Sequence, residues 1–378
     1  MAVVQCLHSF AMCSGLHANP GKTQIYMGGV AADVRQLILD ATRFSPGALP
    51  FSYLGLPLTG NRLKVDQYQT LIDRFARKIH HWSASFLSHA GKLRLIDSVL
   101  YSNLVYWCSV FRLPIQIVHK LEACSRNLYW GMADNGGGIP WMQWACFTRP
   151  RDEDGAGIKE ILSWNKALLL KWVWEIFARP PSLWLNWVEA YCLNGYSIWT
   201  VPSKLTDPWV WSEVLKLRDE FLLKSGNIAA ACSRLVDWTA SGGVKFRVGE
   251  AYNFFRTHGS CVRRLRVLWE SFAPPKYGIV GRQASYAKLA TIDNLHKRGF
   301  QFVNRCFLCK GAAESHSHLL FQCSFMQHLW RTMMLWVGVT RRPRNIRHEL
   351  EWLYSHRKGK GLPLRVERAV FMAIIYHG

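Results

Sequence analysis

Apolar residues along most of this chain recur at helical spacing, and alternation of the strand type is scarce. Tyr68, Leu71, Ile72, Phe75 and Ile79 fall on one face of a helix, with Arg74, Arg77 and Lys78 placed elsewhere. Asp66 is the expected cap, with Gln69 three residues on. A second helix is predicted from about Gly91 to Trp107, with Leu93, Ile96, Val99, Leu100 and Leu104 inward. Pro114 separates it from a third, Ile117 to Trp130. A Trp-rich helix from about Trp164 to Phe177 is stopped by Pro180-Pro181, and Asp207-Pro208 opens another in cap-then-proline order. Val262 to Ser271 reads as an Arg-rich helix. Thr291 can cap a short helix that Gly299 closes, and LRVERAVFMAIIYHG reads as an amphipathic helix. FSYLGLPLTG (Phe51 to Gly60) is a short apolar strand, and Asp154-Gly155 a turn. The pattern predicts a mainly α protein with little β.

Glycine runs at Asn135-Gly136-Gly137-Gly138 and Ser241-Gly242-Gly243 divide this pattern. They give a helical unit over 1–134, a Trp-rich connector over 135–243, a cysteine-bearing domain over 244–335 and a basic tail over 336–378. At 378 residues and 49% hydrophobic, the chain can build two or three cores and is not wholesale disordered.

Charge changes the picture. Lys and Arg number 47 against 25 Asp and Glu, a net +22. Such a balance, with 18 Trp, points to a polyanionic partner, most simply nucleic acid. Most of the Trp follow helical periodicity and are expected in the core. Eleven cysteines without a disulfide framework, and no secretory signal, indicate reduced thiols in an intracellular protein of nucleus or cytoplasm. No apolar run approaches bilayer length, so no membrane partner is expected.

The strongest chemical signal is CFLCKGAAESHSHLLFQC, Cys306 to Cys323. A C-x-x-C knuckle followed by histidine and a third cysteine suits tetrahedral zinc, with Gly311 expected to let the backbone reverse. Cys306, Cys309 and Cys323 supply three ligands. By spacing, His318 and His328 both fit as the fourth, and His316 leaves a longer gap. Four protein ligands would make the zinc structural, with Glu314 hydrogen-bonding the site or capping its turn. Gly21-Lys22-Thr23 invites a phosphate-loop reading but fails it on spacing and on Pro20.

Several stretches together resemble plant non-LTR (LINE-type) retrotransposon reverse transcriptases. These are SGLHANPGKTQIYMGG, FSYLGLPLTGNRL, the LSHAGKLRLIDSVL run after Trp82, and SRNLYWG ending at Gly131. AYNFFR, PPK, LATIDNLHKRG and ES-x-x-HLLFQC, with a Trp shortly after, resemble the zinc-binding domain downstream in those polyproteins. The resemblance selects His318 as the ligand histidine. It implies a thumb-like helical unit at the end of a reverse transcriptase domain. It also implies an upstream Asp-Asp motif holding two catalytic metal ions, and no Asp-Asp pair occurs in this sequence. No catalytic residues are therefore assigned. The expectation is a retroelement-derived remnant that binds RNA or single-stranded DNA. Lys22, Arg74, Arg77, Lys78, Arg341 and Arg342 are the candidate phosphate contacts. The alternatives are part of an active RNA-directed DNA polymerase whose catalytic part lies upstream, a protein-interaction module, or an unselected pseudogene product.

Overall fold

A computed structural model describes residues 2–80, 87–131, 140–240, 245–269, 273–355 and 361–378. Both glycine junctions fall outside the described residues, as do Trp82 and the end of the Arg-rich segment. The protein is mainly α, with two two-stranded sheets among the described residues. It divides into two compact units, residues 1–69 with 208–210, and 70–207 with 211–378. The first break thus falls at 69/70, well before the glycine run.

In the first unit, α1 (Ala2–Ser14) and α2 (Ala32–Thr42) accompany a short parallel pair, β1 (Gln24–Ile25) with β2 (Ser45–Pro46). The expected strand at Phe51 is a hairpin, β3 (Phe51–Tyr53) with β4 (Leu56–Leu58). Its two-residue turn has positive φ at Leu54 (50°) and Gly55 (83°), the twist that matches paired strands. The helix entry is capped two residues earlier than expected. The Lys64 N–H donates to Gln67 Oε1 (2.8 Å), so Lys64 and Gln67 close the turn in place of Asp66 and Gln69.

The second unit begins with α3 (Gln69–His80), whose Leu71 and Phe75 are buried as its periodicity requires. The next helix is interrupted: α4 (His89–Leu95), a π turn (Ile96–Leu100) and α5 (Tyr101–Val110). Ser88 Oγ caps it, accepting from the Gly91 N–H. Then comes α6 (Ile115–Trp130), ended by Gly131 at φ 67°. The Trp-rich helix α7 (Ile161–Ala178) presents Asn165, fully buried, to the end of α5. Asn165 donates to the carbonyls of Cys108 (2.7 Å) and Phe111 (2.8 Å) and accepts from the Leu113 N–H (2.9 Å). One polar side chain thus satisfies groups that a helix end leaves unpaired.

One core gathers around α7 and includes Trp174, Trp211, Phe221 and Leu235. Its helices are α8 (Leu183–Val188), α9 (Trp209–Ser225), α10 (Ile228–Asp237) and α11 (Val248–Phe255). Of the Trp residues, Trp107, Trp130, Trp144, Trp174, Trp211, Trp238 and Trp330 are buried, Trp164, Trp172, Trp184, Trp199, Trp269 and Trp352 pack partly buried against the cores, and Trp187 and Trp336 are exposed. Phe246, Ala251 and Tyr252 also belong to this core, so residues just past the second glycine junction pack with the connector.

A second core contains Cys306, Cys323, Leu320, Met326 and Trp330. The Arg-rich segment feeding it is a 3-10 helix, Arg263–Trp269, with Leu265, Val267 and Leu268 turned inward. It is followed by α12 (Pro275–Ser285), α13 (Ile292–His296) and α14 (Ser324–Trp336). Gly278 lets α12 approach closely, since a Cβ there would lie 2.4 Å from the Leu268 carbonyl oxygen. The expected tail is no appendage. Its helices α15 (Ile346–Ser355) and α16 (Leu362–His377) put Leu350, Leu353, Phe371 and Ile375 into the same core as the cysteines. Among the described residues no helix is long and apolar enough to cross a membrane.

Candidate metal centre

Cys306, Cys309, His318 and Cys323 converge, with all four ligand atoms within 4.8 Å of one another. Cys306 Sγ lies 4.0 Å from Cys323 Sγ, and Cys309 Sγ lies 3.3 Å from His318 Nε2. Two thiolates bound to zinc at about 2.3 Å stand roughly 3.8 Å apart in a tetrahedron, and a thiolate and imidazole nitrogen about 3.6 Å. The donor set and spacing therefore fit zinc. Among the described residues this is the one group of three or more His, Cys, Asp and Glu side chains arranged to hold a metal ion. Cys306 and Cys323 are buried and the other two half-buried.

The knuckle is built by backbone bonds. The Lys310 N–H donates to the Cys306 carbonyl and the Cys306 N–H to the Ala312 carbonyl, both at 2.9 Å. The left-handed residue that reverses the chain is Lys310 (φ 54°), not Gly311, beside which a side chain would meet only the Cys309 carbonyl at 3.7 Å. What Gly311 does supply is an N–H directed at Cys309. That bond, with contributions from His318, Cys306 and the Ala312 N–H against the cost of desolvation, holds the Cys309 thiol down at about 6. Burial pushes the Cys306 thiol up, partly offset by the N–H groups of Cys309 and Leu308. Such N–H bonds stabilise sulfur as the anion, the form that binds a metal.

The second half of the centre depends on a π turn, His318–Gln322. Residues five apart on an α-helix point about 140° away from each other. The wider turn, closed by the Cys323 N–H donating to the His318 carbonyl at 2.7 Å, returns both side chains to one side. Ser315 Oγ caps its start, accepting from the His318 N–H (3.1 Å). The carbonyls released where the π turn gives way to α14 are met by side chains. Trp330 Nε1 donates to Leu320 O (2.7 Å) and Gln327 Nε2 to Phe321 O (3.2 Å). This bond gives the Trp of the zinc-domain pattern its role. Trp330→Phe is expected to cost about 2 kcal/mol by orphaning a buried carbonyl, measured by denaturant unfolding of the zinc-loaded protein. Glu314, buried beside the site, caps α13 instead of ligating, its Oε1 accepting from the Ile292 N–H (3.0 Å).

Among the rival histidines, His328 is exposed on α14 and outside the cluster. Burial lowers the pKa of His316, which also lies outside the cluster.

The expected phosphate contacts lie on separate elements. Lys22 is exposed in the first unit, in a turn whose Gly21 N–H donates to Asn19 Oδ1 (2.9 Å) and Lys22 N–H to Asn19 O (3.1 Å). Those N–H groups are thus engaged by the chain itself. Arg74 and Arg77 lie on the exposed face of α3, and Lys78 is half-buried. Arg342 is exposed, whereas Arg341 pairs with buried Glu349 (2.8 Å to Oε1) and lies over the Trp352 ring at 4.4 Å.

A pair of buried clamps escaped sequence reasoning. Arg256 makes a bidentate bond to Glu153 (2.5 and 2.7 Å), which also accepts from the Gly259 N–H (2.7 Å). Next to it, Arg282 Nε donates to Asp154 O (2.8 Å) and Oδ1 (3.1 Å), and Tyr286 Oη donates to Asp154 Oδ2. The turn that presents these carboxylates requires Gly155, where a Cβ would sit 1.6 Å from the Arg149 carbonyl oxygen. A cleft of about 1200 Å3 opens beside it, lined by residues that include Arg126, Arg149, Lys288, Arg298, Glu122 and Glu160. Burial and the nearby Glu160 raise the pKa of Glu122.

Residues 246–330 match the family described as zinc-binding in reverse transcriptase. Among curated proteins of Arabidopsis thaliana, one named "Putative ribonuclease H protein" is 30% identical over 187 residues, 49% of this chain and 30% of that protein. Another, named "Uncharacterized mitochondrial protein", is 30% identical over 80 residues, 21% of this chain and 52% of its own length. The chain thus spans about a third to a half of these relatives.

Proposed function

We propose that this chain, whose C-terminal region is related to the reverse transcriptases of retrotransposons, is a non-catalytic nucleic-acid-binding protein held together by one structural zinc ion. The observation that carries the zinc assignment is the convergence of Cys306, Cys309, His318 and Cys323 inside the matched region. When bound, the metal cross-links the knuckle to the π turn. Four protein donors and two buried thiolates leave no open position for a reacting water.

Partner chemistry rests on the +22 charge. Lys22, Arg74, Arg77, Lys78 and Arg342 contact phosphates of RNA or single-stranded DNA, with Arg341 contributing what its pairing with Glu349 leaves available. The eleven unpaired cysteines fit a reducing compartment, the nucleus or cytoplasm. On a labelled single strand, the logarithm of affinity is expected to fall linearly with that of salt, with a slope near −3.5 for about five neutralised phosphates. Fluorescence anisotropy across a salt series reads this slope, and a flat line contradicts the proposal.

A further inference from the structure

Between α13 and the knuckle the chain runs HKRGFQFVNRCFLCK, His296 to Lys310, with four Lys or Arg and no Asp or Glu. Every residue from His296 to Arg305 is exposed, although three of them are large and apolar. Phe300 is 43% exposed, Phe302 54% and Val303 85%, and Phe307 on the knuckle itself is 79% exposed. Exposed aromatics in such density are not a requirement of folding.

The segment is nonetheless held in shape. The Phe302 carbonyl and His296 Nε2 are 2.7 Å apart, Asn304 Oδ1 accepts from the Glu314 N–H (2.7 Å), and Arg305 Nε donates to the Lys310 carbonyl. The Phe300 and Phe302 rings lie nearly parallel, 7° apart with centroids separated by 6.2 Å. Parallel, solvent-facing rings flanked by cations are the arrangement on which unpaired bases stack while phosphates meet Lys and Arg. Asp293 takes up Lys297, one of the four cations, and accepts from Thr291, while Glu314 is engaged by the Ile292 N–H, so Arg298, Arg305 and Lys310 are the cations left to the rings. Arg298 lines the cleft described above, stacked over Trp141 at 4.6 Å and donating to the Pro140 carbonyl (2.9 Å).

We propose that Phe300 and Phe302, with Phe307 and the cations Arg298, Arg305 and Lys310, form a stacking platform for the unpaired bases of a single-stranded nucleic acid. The zinc knuckle serves as its rigid base. This rests on the nucleic-acid-binding reading and sharpens it: the platform discriminates single strands from duplex, because paired bases offer no open face.

The test compares the full-length, zinc-loaded chain with F300A/F302A and F300Y/F302Y. The probes are a fluorescein-labelled 20-nucleotide oligo(U) and a 20-base-pair duplex. The alanine pair is expected to weaken oligo(U) binding roughly 30-fold, leaving the salt slope and duplex affinity unchanged, while the tyrosine pair stays within about threefold of the parent. Both side chains are about half exposed, so melting temperature and zinc content should match the parent. Equal oligo(U) affinity in parent and alanine variant, with salt-dependent binding intact, overturns the platform and leaves the broader reading standing. A uniform loss on both probes also overturns it. No salt-dependent binding of either probe by the parent removes both.

Discussion

Replacing Cys323 with serine is expected to unfold the second core, not merely to loosen one loop. Cys323 is fully buried and shares that core with Leu320, Trp330, Leu350 and Phe371. Its N–H closes the π turn and its carbonyl accepts from the Gln327 N–H at the start of α14, so ligand and helix cap are one residue. Zinc binding to sites of this kind is worth on the order of 10 kcal/mol, comparable to the whole net stability of a domain. Hydrogen exchange on the zinc-loaded parent and on C323S reads the outcome. Amides of α14 to α16 should lose protection, while those around α7, which belong to a separate core, should keep theirs. Unchanged protection in α14 to α16 would mean that the metal does not hold this region.

The second large effect lies at the Glu153–Arg256 clamp. Both side chains are buried and hydrogen-bonded at both forks, so Arg256→Ala leaves a carboxylate stranded out of water at a cost of about 3–5 kcal/mol. The bond to Arg256, reinforced by the Gly259 N–H against desolvation, holds the Glu153 carboxyl down at about 2. Because the folded value lies below the unfolded one, near 4.3, the stabilisation is complete above that range. It is lost as pH falls from there toward 2. Urea unfolding of parent and R256A from pH 7 to pH 2.5 should show the difference shrinking as the solution becomes acidic. A difference that is constant with pH, or below about 1 kcal/mol at pH 7, would assign the pair to the surface class.

Local patterns carried much of the architecture because helices are local. Leu71 and Phe75 on α3, Leu93, Ile96 and Leu104 across α4 and α5, and the buried Trp residues sit where their spacing puts them. The cysteine cluster was legible for the same reason, since all of its donors fall within eighteen residues. Its geometry was less so. A histidine and cysteine five apart fit no α-helical face, and that misfit was itself the available sign of a π turn. Asp66 looked like a cap because of its residue type, yet the helical turn begins directly after Lys64, whose own backbone is extended. Asp154-Gly155 read only as a turn, because the partners of Glu153 and Asp154, Arg256 and Arg282, lie more than a hundred residues away. Charge alone marked residues 336–378 as a basic tail. The apolar faces of α15 and α16 outweigh it, with Arg341 drawn inward to neutralise Glu349.

Metal content decides the central claim most directly. Purified parent, H318A and H328A, each dialysed against a chelator of moderate zinc affinity, are to be analysed for zinc per chain. Parent and H328A should retain one equivalent and H318A should lose it, since His318 Nε2 faces Cys309 Sγ and His328 stands outside the cluster. Retention by H318A with loss from H328A, or a parent that holds no zinc at all, would contradict the centre described here.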